Sequence, residues 1–195
     1  MGPGPSPASA VGVVLCGGSS RRMGADKATL LLDGTAMARR VADVLREFGA
    51  GTVLTVGGDG RALEGVGDRH VEDELPGEGP LGGVATAAAA APGRDLVVVA
   101  CDLPDLDPGL LRTLWAATGR QVAVPSVAGQ VQWAVAMVPA PAAVLVAERF
   151  AAGERSLRAG FGDVDVLEVG ARAGLDDLDT PDDVDRWRRR SGPRG

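Results

Sequence analysis

The chain has 195 residues, 45% of them hydrophobic, with a formal net charge of −6 and a pI of about 4.8. That is enough apolar material for one domain with a sheet covered on both faces, and too much for a disordered chain. The acidic balance argues against a general nucleic-acid or membrane-surface role and leaves room only for local basic sites.

Residues 1–10 (MGPGPSPASA) have neither the basic start nor the apolar core of a signal peptide, and are expected to form a disordered tail. The domain is expected over 11–190, with a second tail over 191–195. No apolar segment approaches the roughly 20 residues of a membrane span. The two cysteines, Cys16 and Cys101, lie far apart and each ends an apolar run. That pattern suits buried thiols in a reducing compartment better than a disulfide framework or a zinc site, so the expected location is cytoplasmic.

The run from Val11 to Cys16, rich in β-branched residues, reads as a buried strand of a parallel sheet. It empties into a loop with Gly17, Gly18 and Gly24, where missing Cβ atoms let backbone amides approach a ligand. The same loop carries Arg21, Arg22 and Lys27, so the chemistry suits a polyanion such as a nucleoside triphosphate. Lys27 is the only lysine in the chain. A compact ammonium with three rotatable donors follows charge as it moves between phosphate oxygens, which a planar guanidinium does less well. The phosphate loop G-x-x-x-x-G-K-[ST] does not fit, since Ala25 and Asp26 separate Gly24 from Lys27. A formal G-x-G-x-x-G at Gly77, Gly79 and Gly82 follows acids, not an apolar strand, and makes a poor dinucleotide site.

Thr29 to Leu32 and the Asp33-Gly34 turn follow, then a helix with Met37, Val41, Val44, Leu45 and Phe48 on its buried stripe. Arg39 and Arg40 lie off that stripe and are expected to be solvated. Strands are expected over Thr52 to Val56 and up to His70-Val71, with His70, the sole histidine, read as structural. Glu72, Asp73 and Glu74 lead into a glycine-rich loop through Gly79, and Pro80 opens an alanine-rich helix. The loop is either a lid that offers amides to a ligand or an ordinary connection.

Asp95 to Cys101 is the clearest buried strand, and Asp102 follows it. In an open parallel sheet ligands bind at the carboxyl ends of strands, which puts Asp102 where Mg²⁺ needs a carboxylate. Asp107-Pro108 supplies a better helix start than Asp102 for the segment Leu110 to Ala117. Gln121 to Pro125 and Val131 to Val138 read as strands, the latter antiparallel to a neighbour, and Ala142 to Ala151 as a helix. Thr180-Pro181-Asp182-Asp183 is a strong helix start, and Arg188 to Arg190 suit that helix's C-terminus.

Assembled, these pieces resemble the molybdenum cofactor guanylyltransferase (MobA-like) nucleotidyltransferases. The opening pattern L-[A]-G-G-x-x-x-R-M-G-x-D-K stands at Leu15 to Lys27, with Cys16 for the usual alanine. Glu72-Asp73 with Gly79 to Gly83, Cys101 to Pro104, Gln132 to Val135 and Asp177 to Pro181 continue the match in order over about residues 11 to 188. The asparagine often present after the second strand is missing at Thr55 to Gly58, and Asp177 and Asp179 stand where some relatives carry asparagine.

The resemblance implies a single-domain, Rossmann-like α/β fold of the nucleotide-diphospho-sugar transferase type, a mostly parallel sheet with helices on both faces. It implies Mg²⁺-dependent transfer of GMP from GTP to molybdopterin or molybdenum cofactor, with pyrophosphate released and molybdoenzyme maturation proteins as further partners. Leu15, Cys16, Gly17, Gly18, Lys27, Asp73, Gly79 and Asp102 would bind the nucleotide, and Lys27, Arg22 and Asp102 would act in catalysis. Asp102 would hold the metal, with Asp179 as a second candidate. On the acceptor side stand Arg155, Asp177 and Asp179, where Arg155 and Arg158 either meet a pterin phosphate or are exposed helix charges. A CTP-dependent sister enzyme, a sugar- or polyol-phosphate nucleotidyltransferase and a non-catalytic nucleotide-binding regulator remain as alternatives.

Overall fold

The computed structural model describes residues 6–17, 26–73, 75–162, 165–171 and 175–191. The first apolar run forms β1, Val11–Leu15, buried along its whole length. A hairpin of β2, Leu31–Leu32, and β3, Thr35–Ala36, leads into α1, Met37–Phe48, which Gly49 ends in a left-handed conformation at φ 110°. Then come β4, Thr52–Val56, β5, Arg69–Val71, and α2, Pro80–Ala90. β6, Leu96–Ala100, is followed by α3, Pro108–Thr118, and Asp107 caps that helix by accepting from the Gly109 amide at 2.8 Å. β7 is Val122–Val127, β8 Gln130–Val131, β9 Val135–Val138, α4 Ala140–Ala151 and α5 Leu157–Gly160. β10, Val166–Gly170, and α6, Pro181–Ser191, complete the domain.

The central sheet runs β10-β7-β9-β6-β1-β4-β5, with β8 on β7. β1 pairs in parallel with both β4 and β6, while β9 runs antiparallel between β6 and β7. Side chains alternate across each strand, so an apolar run without polar gaps means burial on both faces. On one face Val14, Val53, Val97 and Val99 pack with Val41 and Leu45 of α1 and Leu111 and Leu114 of α3. On the other, Val13, Leu15, Leu54 and Val98 pack with Leu81 and Val84 of α2, Val146 of α4 and Leu157 of α5. Among the described residues no helix is long and apolar enough to cross a membrane.

Four sequence expectations change. Residues 6–10, expected in a disordered tail, are packed on the domain: Pro7–Ser9 forms a 3-10 turn, and Ala10, fully buried, accepts from the Gly51 amide at 3.1 Å. The stretch from Val131 to Val138 is two strands, because the chain turns between them, with the Val135 amide donating to the Gln132 carbonyl at 3.3 Å. Lys27–Thr29 is a 3-10 turn, and the strand is confined to Leu31–Leu32. Arg40 is not a solvated helix charge: it donates to the Leu32 carbonyl at 2.7 Å and lies 5.1 Å over the Trp187 ring.

That ring belongs to a small third core of Leu32, Met37, Leu178, Val184 and Trp187, which fastens α6 to the hairpin. Trp187 Nε1 donates to Asp105 at 2.8 Å, and Arg190 reaches the same carboxylate at 2.6 Å and Asp176 at 3.3 Å. These bonds tie the segment before α6 to the loop after β6. Trp187→Phe keeps most of the packing and removes one charge-assisted bond, a loss of about 1.5 kcal/mol. Thermal unfolding should show a Tm lowered by roughly 3–6 °C.

Candidate active site

Lys27 opens its 3-10 turn next to Asp26, whose Oδ1 accepts from the Ala28 amide at 3.0 Å. Asp26 therefore shapes the backbone that carries Lys27. The Lys27 ammonium lies 3.0 Å from Asp102 Oδ2 and also donates to Asp179 Oδ1. Burial pulls this ammonium down, but the Asp179 and Asp102 carboxylates outweigh it and hold the group above the ordinary lysine value of 10.5. The Leu178 amide donates to the Asp102 carbonyl at 3.1 Å, which seats the acidic segment beside the end of β6. Asp177 lines the same cavity as Lys27 and Asp102. Burial, then the neighbouring Asp179 and Asp102 charges, raise its carboxyl above the ordinary 3.8.

Two cavities meet at the carboxyl ends of β1, β4 and β6, where ligands of open parallel sheets bind. One, of about 240 Å³, is lined by Leu15, Gly17, Val56, Asp73, Gly79 and Pro80. The other, of about 280 Å³, is lined by Leu15, Cys16, Gly17, Lys27, Asp102 and Asp177, together with Ala134 and Leu157. Leu15, Gly17 and Pro80 border both. One elongated ligand can therefore run from the first cavity to the second.

The glycine-rich loop over residues 75–79 begins at Asp73, whose Oδ1 accepts from the Leu75 amide at 3.1 Å. It ends at Gly79, where φ is 92° and a Cβ would stand 2.7 Å from the Arg155 carbonyl oxygen. No other residue type fits both that conformation and that contact. The Arg155 carbonyl accepts from the Leu81 amide at 3.3 Å. Its guanidinium pairs with Glu78, donates to the Phe150 and Glu154 carbonyls at 2.9 Å each, and lies 4.6 Å over the Phe150 ring. The loop thus borders the first cavity and is tethered to the α4–α5 connection.

The fold brings Leu15, Cys16, Gly17, Lys27, Asp73, Gly79, Asp102 and Asp177 to the two cavities, and sets Asp179 against Lys27. Gly18, Arg21, Arg22, Gly24 and Glu74 lie outside the described residues. Arg155, expected on the acceptor side, is engaged with Glu78. His70 bonds Thr55 Oγ1 at 3.1 Å through Nδ1, a contact inside the β4–β5 pair. Ala134 and Leu157 were not expected at the site, although Ala134 sits in the recognised Gln132 to Val135 stretch. The Glu78 and Arg155 pairing has no sequence signal, being 77 residues apart. Among the described residues no cluster of three or more His, Cys, Asp or Glu side chains forms a metal cage.

The raised Asp177 carboxyl makes a pH-dependent prediction for the protein without nucleotide or divalent metal. Below the ordinary aspartate value of 3.8 the proton is bound folded and unfolded alike, and as pH rises through the higher folded value stability is lost. Asp177→Asn should therefore melt above the unsubstituted protein at neutral pH, with a gap that closes as pH falls below the aspartate range. Thermal melts across that range check the sign.

A MobA-like NTP transferase domain model matches residues 12–165. The molybdenum cofactor guanylyltransferase of Cereibacter sphaeroides is 35% identical over 90% of this chain and 93% of its own. An Opitutus terrae protein named as a probable molybdenum cofactor guanylyltransferase is 40% identical over 75% of each chain. In fold, the chain is similar to the crystal structure of molybdopterin-guanine dinucleotide biosynthesis protein A from Archaeoglobus fulgidus, with a TM-score of 0.73 at 21% identity, over 92% of this chain and 97% of that one. The match over most of the domain, with the strand-end site in place, makes this chain a member of the MobA-like NTP transferase family.

Proposed function

We propose that this protein transfers GMP from GTP to the phosphate of molybdopterin or molybdenum cofactor, with release of pyrophosphate, in the cytoplasm. The observation that carries the reading is Lys27, held by Asp102 and Asp179 in a cavity that shares Leu15, Gly17 and Pro80 with its neighbour. In support, full-length relatives bear the name of that activity.

Guanine and ribose would occupy the first cavity, against the Leu15 to Gly17 backbone and Asp73. At Gly17 a Cβ would meet Asp73 Oδ2 at 3.6 Å, an ordinary contact, so packing does not demand glycine there. Close approach of a ligand to the backbone gives that glycine a use. The triphosphate would cross to Lys27, whose ammonium exchanges Asp179 for phosphate oxygens and balances charge building on the departing pyrophosphate. Arg22 is proposed as a second cation on the triphosphate. An oxygen of the acceptor phosphate attacks the α-phosphorus, and the bond to the β-phosphate oxygen breaks. That nucleophile is already an anion, so positioning and charge stabilisation suffice without a general base.

Mg²⁺ takes one or two carboxylates and completes its shell with phosphate oxygens and water, a demand that Asp102 with Asp177 or Asp179 meets. When bound, it neutralises phosphate charge as a Lewis acid. The second cavity, with Ala134, Leu157 and Asp177, is the acceptor side. Arg155 would join it only by leaving Glu78.

The test is transfer of α-phosphate label from each nucleoside triphosphate to molybdopterin, with Mg²⁺ and with chelator. GTP should be the donor, and Lys27→Ala should lower the rate by about 10²-fold, as removal of a preorganised donor does. Asp102→Asn should abolish the difference between Mg²⁺ and chelator in GTP binding. A preference for CTP would assign the sister activity, transfer to a sugar or polyol phosphate a different acceptor, and binding without transfer a regulator.

A further inference from the structure

Neither cysteine side chain is assigned a step in this chemistry, where Cys16 offers only backbone to the nucleotide, yet the sheet sets the two side by side. Leu15 of β1 and Ala100 of β6 are register partners, and the Cys101 amide donates to the Leu15 carbonyl at 3.1 Å. The parallel pairing thus continues through Cys16 and Cys101, one residue beyond each strand. Neighbouring strands lie about 4.8 Å apart, inside the Cα separation of about 4.4–6.8 Å that a disulfide spans. Both side chains pack on the same face, with Val14 and Val99. They are 4% and 7% exposed, and both line the cavity of Lys27 and Asp102.

We propose that Cys16 and Cys101 form a dithiol that a hydroperoxide closes to an intramolecular disulfide, and that the closed form loses nucleotide affinity. One sulfur attacks the peroxide O–O bond, giving a sulfenic acid and water. The second thiol then displaces the sulfenic oxygen, forming the S–S bond and a second water. Two thiols lose two electrons and two protons, and one hydrogen peroxide becomes two waters. Both sulfurs are buried, so the first step is slow compared with an exposed sensor cysteine.

The closed form differs where it matters. The Cα separation already suits a disulfide, but its Cβ atoms must come to about 3.8 Å, so the two Cα–Cβ bonds, which leave neighbouring strands about 4.8 Å apart, must tilt towards each other by about 1 Å at Cβ. Gly17 follows Cys16 and Asp102 follows Cys101, and both border the cavity. The tilt is passed to these two neighbours, which the proposed function sets against the nucleotide and its metal, so the pocket loses its preorganised fit to the ligand. The effect on nucleotide rests on the function proposed above, whereas disulfide formation does not.

The test treats the reduced full chain with millimolar hydrogen peroxide, quenches with catalase, and labels remaining thiols with N-ethylmaleimide under denaturing conditions. Expected is a monomer lighter by two hydrogens, carrying no label, with a crosslinked peptide pair containing Cys16 and Cys101. Its affinity for a fluorescent GTP analogue with Mg²⁺ should fall at least about tenfold and return with dithiothreitol. Cys16→Ala and Cys101→Ala should give no lighter species, and their own affinities should be the same before and after peroxide. Label on both cysteines, or sulfinic acids without a crosslink, would overturn the closure. A disulfide that leaves GTP affinity unchanged would overturn the switch. Reduced protein that binds no nucleotide would remove the functional reading and with it the switch, while the mass still decides the disulfide.

Discussion

Everything at the strand ends depends on one ammonium among carboxylates. Lys27 comes from the loop after β1, Asp102 from the end of β6 and Asp179 from the segment before α6, so this contact closes three distant parts of the chain on one point. Partial burial raises the strength of each attraction and also the cost of leaving any charge unmatched. A surplus of carboxylate stands around a single ammonium, and burial together with the Asp179 and Asp102 charges raises the Asp177 carboxyl above its ordinary value. Such a site invites further positive charge, and a divalent ion escorted by phosphates brings that charge in a form the carboxylates can share.

The supporting structure keeps this arrangement in place from behind. Two apolar clusters sandwich the sheet and seat the carboxyl ends of β1 and β6 side by side. α6 acts from the other side, where Trp187 and Arg190 grip Asp105 and Leu178 bonds back to Asp102. The glycine loop is the adaptable wall. Its ion pair with Arg155 is half exposed, and such pairs are worth at most about 1 kcal/mol, so this ion pair holds the loop only weakly to the α4–α5 connection.

Much of this is readable from residue order. Val11–Leu15 and Leu96–Ala100 announce themselves as buried strands because both faces are apolar, and Asp102 follows from its place after such a strand. Lys27 stands out because the chain spends no other lysine. What stayed hidden needed the strand order. That Cys16 and Cys101 are neighbours follows only once β6 is known to lie beside β1. Arg40 reads as a surface charge until Trp187, far along the chain, is folded over it. Arg155 likewise reads as either a phosphate ligand or an exposed helix charge until Glu78 is found opposite it. The break between β8 and β9 was lost because an apolar run does not reveal where its hydrogen bonds stop.

The most direct test is a crystal structure with GTP and Mg²⁺ bound. The account predicts guanine against Leu15, Gly17 and Asp73, the Lys27 ammonium moved from Asp179 onto phosphate oxygens, and Asp102 on the metal. GTP seated elsewhere, with Lys27 still 3.0 Å from Asp102 and still paired to Asp179, would contradict it.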